Sequence, residues 1–583
     1  MKMAKKLSPS LSELNGGIQV ASGKQQPDML IKNVTWLDIL NGTSEVTNVA
    51  VHGRFIAGIG KDYTTATKII DATNLYIVPG FIDTHVHIES SMMTPFEFKR
   101  KTLSKGTTTA ICDPHEITNV LNSTGFEWIL RCSEKMHQNL FVQVSSCVPA
   151  AENFETNGGV FSKEHMVGYK NHPNVLGMAE MMNMPGVING DEKVLEKIMA
   201  FSDTIIDGHA PTLRGQDLNA YRFAGIANCH ESITLEEAKE KLAYGMGIML
   251  REGSAAKNLS DLIGILREFN AHNCMLCSDD RNPLDISEEG HIDYMVRKLI
   301  NKHQVPPHTA YAMASYSAAR HFGLDRLGLV APGYQADFLL ISDLKTVKIE
   351  KIFCKGIEHK ETEFNATLAQ EQLSQTQAPV LNTINIPDLS VNDLEYNLTE
   401  AQYRVIKIIP NQIITEEIIT TFKNDKFDQN DILPIQVIER YGHKKPPSKG
   451  LVHGFGLKEG AIATSVAHDS HNIIVVGEKS QDRLHAILTL QKMGGGIVIV
   501  KDGEVLASLA LPIAGLMSYD SAENITKNLK HLRNIAKTIG CAIKEPFLQL
   551  SFLALPVIPT LKITDCGLVY SSGTSLEVVS LKV

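Results

Sequence analysis

The sequence predicts an α/β protein built on a (β/α)8, TIM-like barrel, with a small β-sandwich made from both of its flanks and a further C-terminal α+β domain. Three observations predict it. From residue 79 onward, strand-like apolar runs alternate with amphipathic helical stretches, the pattern of a parallel sheet. Short β-rich runs stand on either side of that region. Beyond a polar, Gln-rich stretch the texture turns to mixed helix and strand again.

The first flank, from "DMLIKNVTWLDIL" to "KIIDATNLYIVPG", is broken by Asn-Gly, His-Gly and Gly-Lys turns and reads as a small β-structure over residues 1–78. The barrel is expected over 79–330, from eight runs: "IVPGFIDTHVH", "TTTAICDPHE", "LFVQVSSC", "VLGMAEMM", "TIIDGHA", "GIANCHE", "GIMLREG" and "NCMLCSDD". Helical signals follow several of them. "TLEEAKEKLAYG" opens with a capping box, Thr234 to Glu237, and "NLSDLIGILREFN" and "HIDYMVRKLINKH" space apolar residues three and four apart. Eight βα units in roughly 250 residues suit the barrel's usual size. "PGYQADFLLISDLKTVKIEKIFCKG" then returns to β texture and is expected to rejoin the first flank, over 331–365. The stretch 366–400 reads as a linker. Residues 401–583 form the C-terminal α+β region, with "GGGIVIVKDGEVLASLALPIAGL" its strongest strand-turn-strand signal.

Composition narrows the function classes. Of the 583 residues, 43 % are hydrophobic and 21 % charged, and the net charge of −9 comes without any long basic run, so nucleic acid is not the expected partner. No run of about 18 uninterrupted apolar residues predicts a transmembrane helix, and "MKMAKKLSPSLSEL" lacks the apolar core of a secretory signal. The nine cysteines are scattered, mostly within apolar runs, as reduced thiols would be. A cytoplasmic protein is expected, assembled as a homo-oligomer, a dimer in the first instance.

Chemistry is concentrated where such a barrel keeps its active site, at the C-terminal ends of the strands. Strand 1 ends in His85 and His87, strand 2 in His115 and Glu116, strand 4 in Glu180, strand 5 in His209, strand 6 in His230 and Glu231. Strand 7 carries Arg251 and Glu252, and strand 8 ends in Asp279 and Asp280. Residues i and i+2 of a strand point the same way, so His85 and His87 reach one point together. One histidine at a strand end is ordinarily a hydrogen-bonded loop residue. Four of them, in phase with a glutamate and an aspartate on five strands, are the signature of a metal centre. Imidazole with carboxylate suits Zn, Mn, Fe or Ni better than Ca or Mg. A carboxylate at Glu180 can bridge two ions that share and activate a hydroxide. Glu89, His115, Glu116, Glu231 and Arg251 either support the ligands or contact the substrate. His87-Ile88-Glu89 with Cys274-x-x-Cys277 mimics the small zinc deaminases, but the halves lie far apart, no proline precedes Cys274, and both cysteines sit inside an apolar strand.

The segments "PGFIDTHVHIESSMMTP", "GTTTAICDPHEITNV", "GMAEMMN", "DGHAP", "NCHES", "CSDDR" and "HDSHNIIVVG" resemble the amidohydrolase superfamily of metal-dependent hydrolases and, within it, the adenine deaminases. The resemblance covers nearly the whole chain and implies a barrel of amidohydrolase type. It implies a binuclear centre of Mn2+ or Fe2+, with Zn2+ as a further option, in which Glu180 stands where many relatives carry a carboxylated lysine. By carry-over, one metal takes His85, His87, Glu180 and Asp279, and the other takes Glu180, His209 and His230. The implied substrate is adenine, deaminated to hypoxanthine. Asp279 would then be the proton shuttle, Asp280 would face the purine as in adenosine deaminases, and Glu116 and Glu89 are candidates for the donor to N1. His115, Glu231 and Arg251 are assigned to substrate contact. Two other readings compete: an amidohydrolase that opens a cyclic amide such as a dihydropyrimidine or hydantoin, and a non-catalytic scaffold. Finally, His468, Asp469 and His471 lie just before an apolar strand, either as a plain turn or as part of a domain folded over the barrel mouth.

Overall fold

The computed structural model describes residues 7–360, 381–410, 412–422, 431–572 and 575–583. Eight parallel strands form the barrel: Phe81–Val86 (β1), Thr107–Cys112 (β2), Asn139–Val144 (β3), Val175–Met181 (β4), Ile205–Gly208 (β5), Asn228–Cys229 (β6), Gly247–Arg251 (β7) and Cys274–Cys277 (β8). β1 to β5 are hydrogen-bonded as one sheet and β6 to β8 as another. The ring closes where β1 meets β8, through a parallel bridge between Val86 and Asp279. Ile82, Ile111, Phe141, Ile205, Met249 and Met275 make one buried cluster, with Leu176 and Ala227 packed against it. Residues drawn from all sides of the ring can meet only inside it, so the barrel is filled, as this architecture requires.

The first barrel run of the sequence proves to be two strands. Tyr76–Pro79 belongs to the flanking sheet, where it pairs antiparallel with Phe338–Ile341, and β1 begins only at Phe81. Pro79 offers no N–H to continue the ladder, and Gly80 leaves no room for a side chain beside Thr108, 2.3 Å from where its Cβ would lie. The flanking sheet has eight strands from the two chain segments. Ile56 N–H donates to Tyr334 O (2.9 Å) and Ala336 N–H to Arg54 O (2.8 Å), which folds the sheet round a core of Ile31, Val49, Ile56, Phe338 and Phe353.

The capping box at Thr234 is half formed. Thr234 accepts from Glu237 N–H, but the buried Glu237 carboxylate turns to Thr212 N–H (3.0 Å), Ile233 N–H (3.0 Å) and Lys241 Nζ (2.6 Å). Tying down a buried lysine outweighs closing the box, because an unpaired buried charge is the costlier defect. "NLSDLIGILREFN" breaks into a short helix, Leu259–Leu262, and 3-10 turns.

The expected linker falls partly outside the described residues, over 366–380. The C-terminal region holds an eight-stranded sheet with the helices Ser480–Met493 and Ala522–Thr538, and a three-stranded sheet over 561–579. Its strongest sequence signal is a hairpin, Gly496–Lys501 with Glu504–Ala510, turning at Asp502 (φ 49°) and Gly503 (φ 80°), the left-handed pair that a tight two-residue hairpin needs. Among the described residues no helix is long and apolar enough to cross a membrane.

This region is fused to the barrel. One buried apolar cluster runs from Phe126 and Val142 of the barrel to Ile435, Ile497 and Leu532. Asp565 clamps the joint: it accepts from Thr156 N–H (2.8 Å), Thr156 Oγ1 (2.6 Å), Lys445 Nζ (3.0 Å) and Asn472 Nδ2 (3.2 Å). Removing an ionised acceptor loses hydrogen bonds worth about 1.5–3 kcal/mol. Asp565→Ala is therefore expected to lower the chain's apparent Tm, read by calorimetry, while an exposed control such as Glu504→Ala leaves it unchanged.

Candidate active site at the barrel mouth

β1 slips register against β2 between Asp83 and Val86, a bulge of the kind that re-aims side chains beside functional sites. It delivers His85 and His87 with their Nε2 atoms 3.1 Å apart. The His87 Nδ1–H donates to the Asp113 carbonyl (3.0 Å), so its Nε2 lone pair is the one turned inward. Glu180, at the end of β4, stands between two histidine pairs. Its Oε1 lies 3.8 Å from His85 Nε2 and 3.3 Å from His87 Nε2. Its Oε2 lies 2.6 Å from His209 Nδ1 and 3.1 Å from His230 Nε2.

Asp279 lies two residues past the end of β8. It takes a left-handed backbone (φ 52°), donates its N–H to His85 O (2.9 Å), and turns its carboxylate into the mouth. There Oδ1 lies 3.2 Å from His87 Nε2 and 3.8 Å from His85 Nε2, while Oδ2 accepts from Arg251 Nη1 (2.5 Å). Arg251 is shared with Glu231, which takes both Nη1 and Nη2, the latter at 3.0 Å. Asp280 accepts from Ser90 Oγ (2.5 Å).

All six carry-over ligands thus meet at one point, and all are buried. Burial alone would raise the pKa of Glu180, but His209 and His230 outweigh it and hold its carboxyl well below the usual range. Burial likewise opposes charge on Asp279, and Arg251 and His87 overcome it. Two anionic carboxylates facing four imidazoles, with a second hydrogen bond fixing the His87 tautomer, fit divalent ions. His85, His230 and Asp279 converge as one group able to hold an ion, and Glu180, His209 and His230 as another.

His115 stands closer to this centre than its sequence position implied. Its Nδ1–H donates to Asp113 Oδ2 (3.0 Å) and lies 3.5 Å from Glu180 Oε1. Glu116 Oε1 is 3.5 Å from His115 Nε2 and 2.7 Å from His468 Nδ1, and its Oε2 contacts His471 Nε2. The His468–His471 stretch is therefore part of the mouth. Glu89 is turned aside by the 3-10 turn after His87, and its Oε1 accepts from Ile117 N–H (3.1 Å). It borders a neighbouring cavity with Ser90, Asp280 and His468, not the one over the ligands.

The cavity over the ligands is bordered by His115, Glu116, Glu231, Arg251, Asp280, His468 and Asp469, and covered by the apolar Ile413, Phe552, Leu555 and Ile558. Asp113, which holds His87 through its carbonyl and His115 through its carboxylate, was missed from sequence although it opens the quoted Asp-Pro-His-Glu. Nothing in "SFLALPVIP" signalled that Phe552 and Leu555 would roof a site. Cys274 and Cys277 are buried free thiols inside β8, away from any zinc role.

A model of the amidohydrolase family matches residues 76–358, and a model of the adenine deaminase C-terminal domain matches residues 412–573. An adenine deaminase of Bdellovibrio bacteriovorus is 52 % identical over 584 residues, covering 100 % of this chain and 99 % of the relative. One from Escherichia fergusonii is 48 % identical, covering 94 % of each chain. One from Escherichia coli is 47 % identical, covering 96 % of this chain and 95 % of the relative.

Proposed function

The chain belongs to the adenine deaminase family of amidohydrolases, and from that premise we propose that it hydrolyses free adenine to hypoxanthine and ammonia. The observation that carries the chemistry is Glu180, whose two oxygens each face a different histidine pair. His85, His87, Glu180 and Asp279 would hold one divalent ion, and Glu180, His209 and His230 the other. Mn2+ is the proposed metal, with Fe2+ and Zn2+ as alternatives. When bound, such ions would lower the pKa of water from 15.7 toward about 7 and so make hydroxide available at neutral pH.

The chain's own residues then have separable roles. Asp279, ionised and facing the ligand histidines, takes the proton of the attacking oxygen and passes it to the departing amine. Arg251, fixed by Glu231, holds Asp279 in that attitude. Asp280, held by Ser90, faces the purine edge. Ile413, Phe552, Leu555 and Ile558 exclude water from a charged intermediate. The reading also carries three domains, residues 1–78 with 331–365, 79–330 and 401–583, and a cytoplasmic homodimer, the last tested by light scattering after gel filtration.

A site that hydrogen-bonds one heterocycle edge rejects a mismatched one by about 10⁴-fold or more. The Mn2+-loaded protein is expected to release ammonia from adenine, and little or none from adenosine, guanine or cytosine, in a coupled ammonia assay. Turnover of a dihydropyrimidine with adenine inert would overturn the proposal.

A further inference from the structure

Addition of oxygen to C6 of a purine drives an electron pair onto N1, which must take up a proton. This inference rests on the deaminase reading and asks which side chain supplies that proton. Of the two carboxyl groups the sequence offered, Glu89 does not border the cavity over the ligands. Glu116 does, but both its oxygens are occupied by imidazoles: Oε1 by His468 Nδ1 (2.7 Å) and His115 Nε2 (3.5 Å), Oε2 by His471 Nε2. The proton of this cluster therefore sits on a ring and not on the carboxylate.

The tautomers single out one ring. His471 Nδ1 accepts from Ala467 N–H (3.2 Å), so its own proton is on Nε2, which lies in ion-pair contact with Glu116 Oε2. His115 spends its Nδ1–H on Asp113 and turns its Nε2 to Glu116 Oε1 (3.5 Å). His468 gives Nδ1–H to Glu116, and its Nε2 is buried without a hydrogen-bond partner among the described residues. Its ring borders the cavity and lies flat on Phe552, with centroids 4.5 Å apart and planes 14° off parallel. We propose that His468, carried to the barrel by the C-terminal region, is the acid that protonates N1, with Glu116 and His471 as positioning residues that keep it charged and oriented.

The electrostatics agree. Burial opposes a charged imidazole, but Glu116, Asp280 and Asp469 outweigh it and push His468 up to about 9. The same ring, with His471 and His115, overcomes burial at Glu116 and keeps that carboxyl well below the usual range. In the step itself, the O–C6 bond forms, the C6–N1 π pair moves to N1, and the Nε2 proton of His468 goes to N1. The adduct is neutral and His468 becomes a neutral imidazole. Asp279 then carries the hydroxyl proton to N6, the C6–N6 pair leaves with ammonia, and C6=O forms. Hypoxanthine keeps the proton on N1, and His468 regains one from solvent.

The test uses the full-length, Mn2+-loaded chain and His468→Gln, which keeps a donor of similar reach but cannot ionise. Losing a general acid typically costs about 10²–10⁴-fold. The variant should keep two metals per chain and an adenine KM near wild type, lose kcat by about that factor, and lose the alkaline limb of the kcat–pH profile. The groups facing His468 that set this limb are Glu116, Asp280, Asp469 and His471. Below about 9 the wild-type ring is charged and active, and above it the proton and the rate are lost together. A variant that keeps its metals and more than a tenth of wild-type kcat would overturn the proposal. Should His468→Gln not fold, Glu116→Gln replaces it: removing that negative charge should move the limb down by roughly one unit or more, and an unmoved limb would overturn the proposal equally. A wild type inert to adenine would instead sink the deaminase reading and this inference with it.

Discussion

Glu180→Gln is expected to give a folded chain that binds well under two metals and turns over adenine at least about 10³-fold more slowly, since even one preorganised electrostatic partner is commonly worth about 10²–10³ in kcat. The substitution is isosteric, so packing at the end of β4 is kept. What changes is the charge on two oxygens that now face His85 and His87 on one side and His209 and His230 on the other. In Gln one of those oxygens becomes an NH2, a donor pointed at imidazole lone pairs, and it cannot ligate. Metal analysis should show the loss directly, and added Mn2+ should not restore the rate. A variant that held two metals and stayed active would require another bridging residue. If Glu180 were only a partner for strand-end histidines, the Tm would fall and the folded fraction would keep its activity.

The barrel and the convergence of six residues at its mouth were legible because they rest on local, periodic signals. Each of the six stands at the end of a short apolar run, and strand alternation fixes which of its neighbours share its direction. His85 and His87 could be paired from spacing alone, and Glu180 from its place in "GMAEMM". The break between Tyr76–Pro79 and β1 was harder to see, since both halves are apolar and only Pro79-Gly80 divides them. The roof was legible only in part: the sequence offered His468, Asp469 and His471 to the mouth, and nothing offered Phe552 or Leu555. Phe552 meets His468 across 84 residues of chain and His468 meets Glu116 across 352, through packing that has no sequence period. Glu89 illustrates the same limit from nearby: it is two residues from His87, yet a single 3-10 turn carries it to Ile117 N–H and out of the cavity over the ligands. Local pattern reports where a strand ends and says little about what a loop does next.

Asp279→Asn is expected to abolish turnover, whereas Asp280→Asn should chiefly raise KM. The two residues are adjacent, but the backbone separates them. The left-handed turn at Asp279 (φ 52°) sends its carboxylate to His87 Nε2 at 3.2 Å and to Arg251 Nη1 at 2.5 Å. Asp280 instead meets Ser90 Oγ at 2.5 Å. Asparagine at 279 removes the negative charge that a ligand needs and the basic oxygen that takes a proton, so two functions fail together, and among the described residues Arg251 keeps Glu231 as its one ion-pair partner. The expected fall in kcat is therefore at least the ~10²–10⁴ of a lost proton carrier, with loss of metal added to it. Asparagine at 280 keeps a hydrogen-bonding side chain against Ser90 and leaves every proposed ligand in place. Its effect should appear in KM, with metal content and Tm near wild type. Steady-state kinetics and metal analysis on both variants decide the matter: the reverse ranking, with Asp279→Asn active and Asp280→Asn dead, would exchange the two roles.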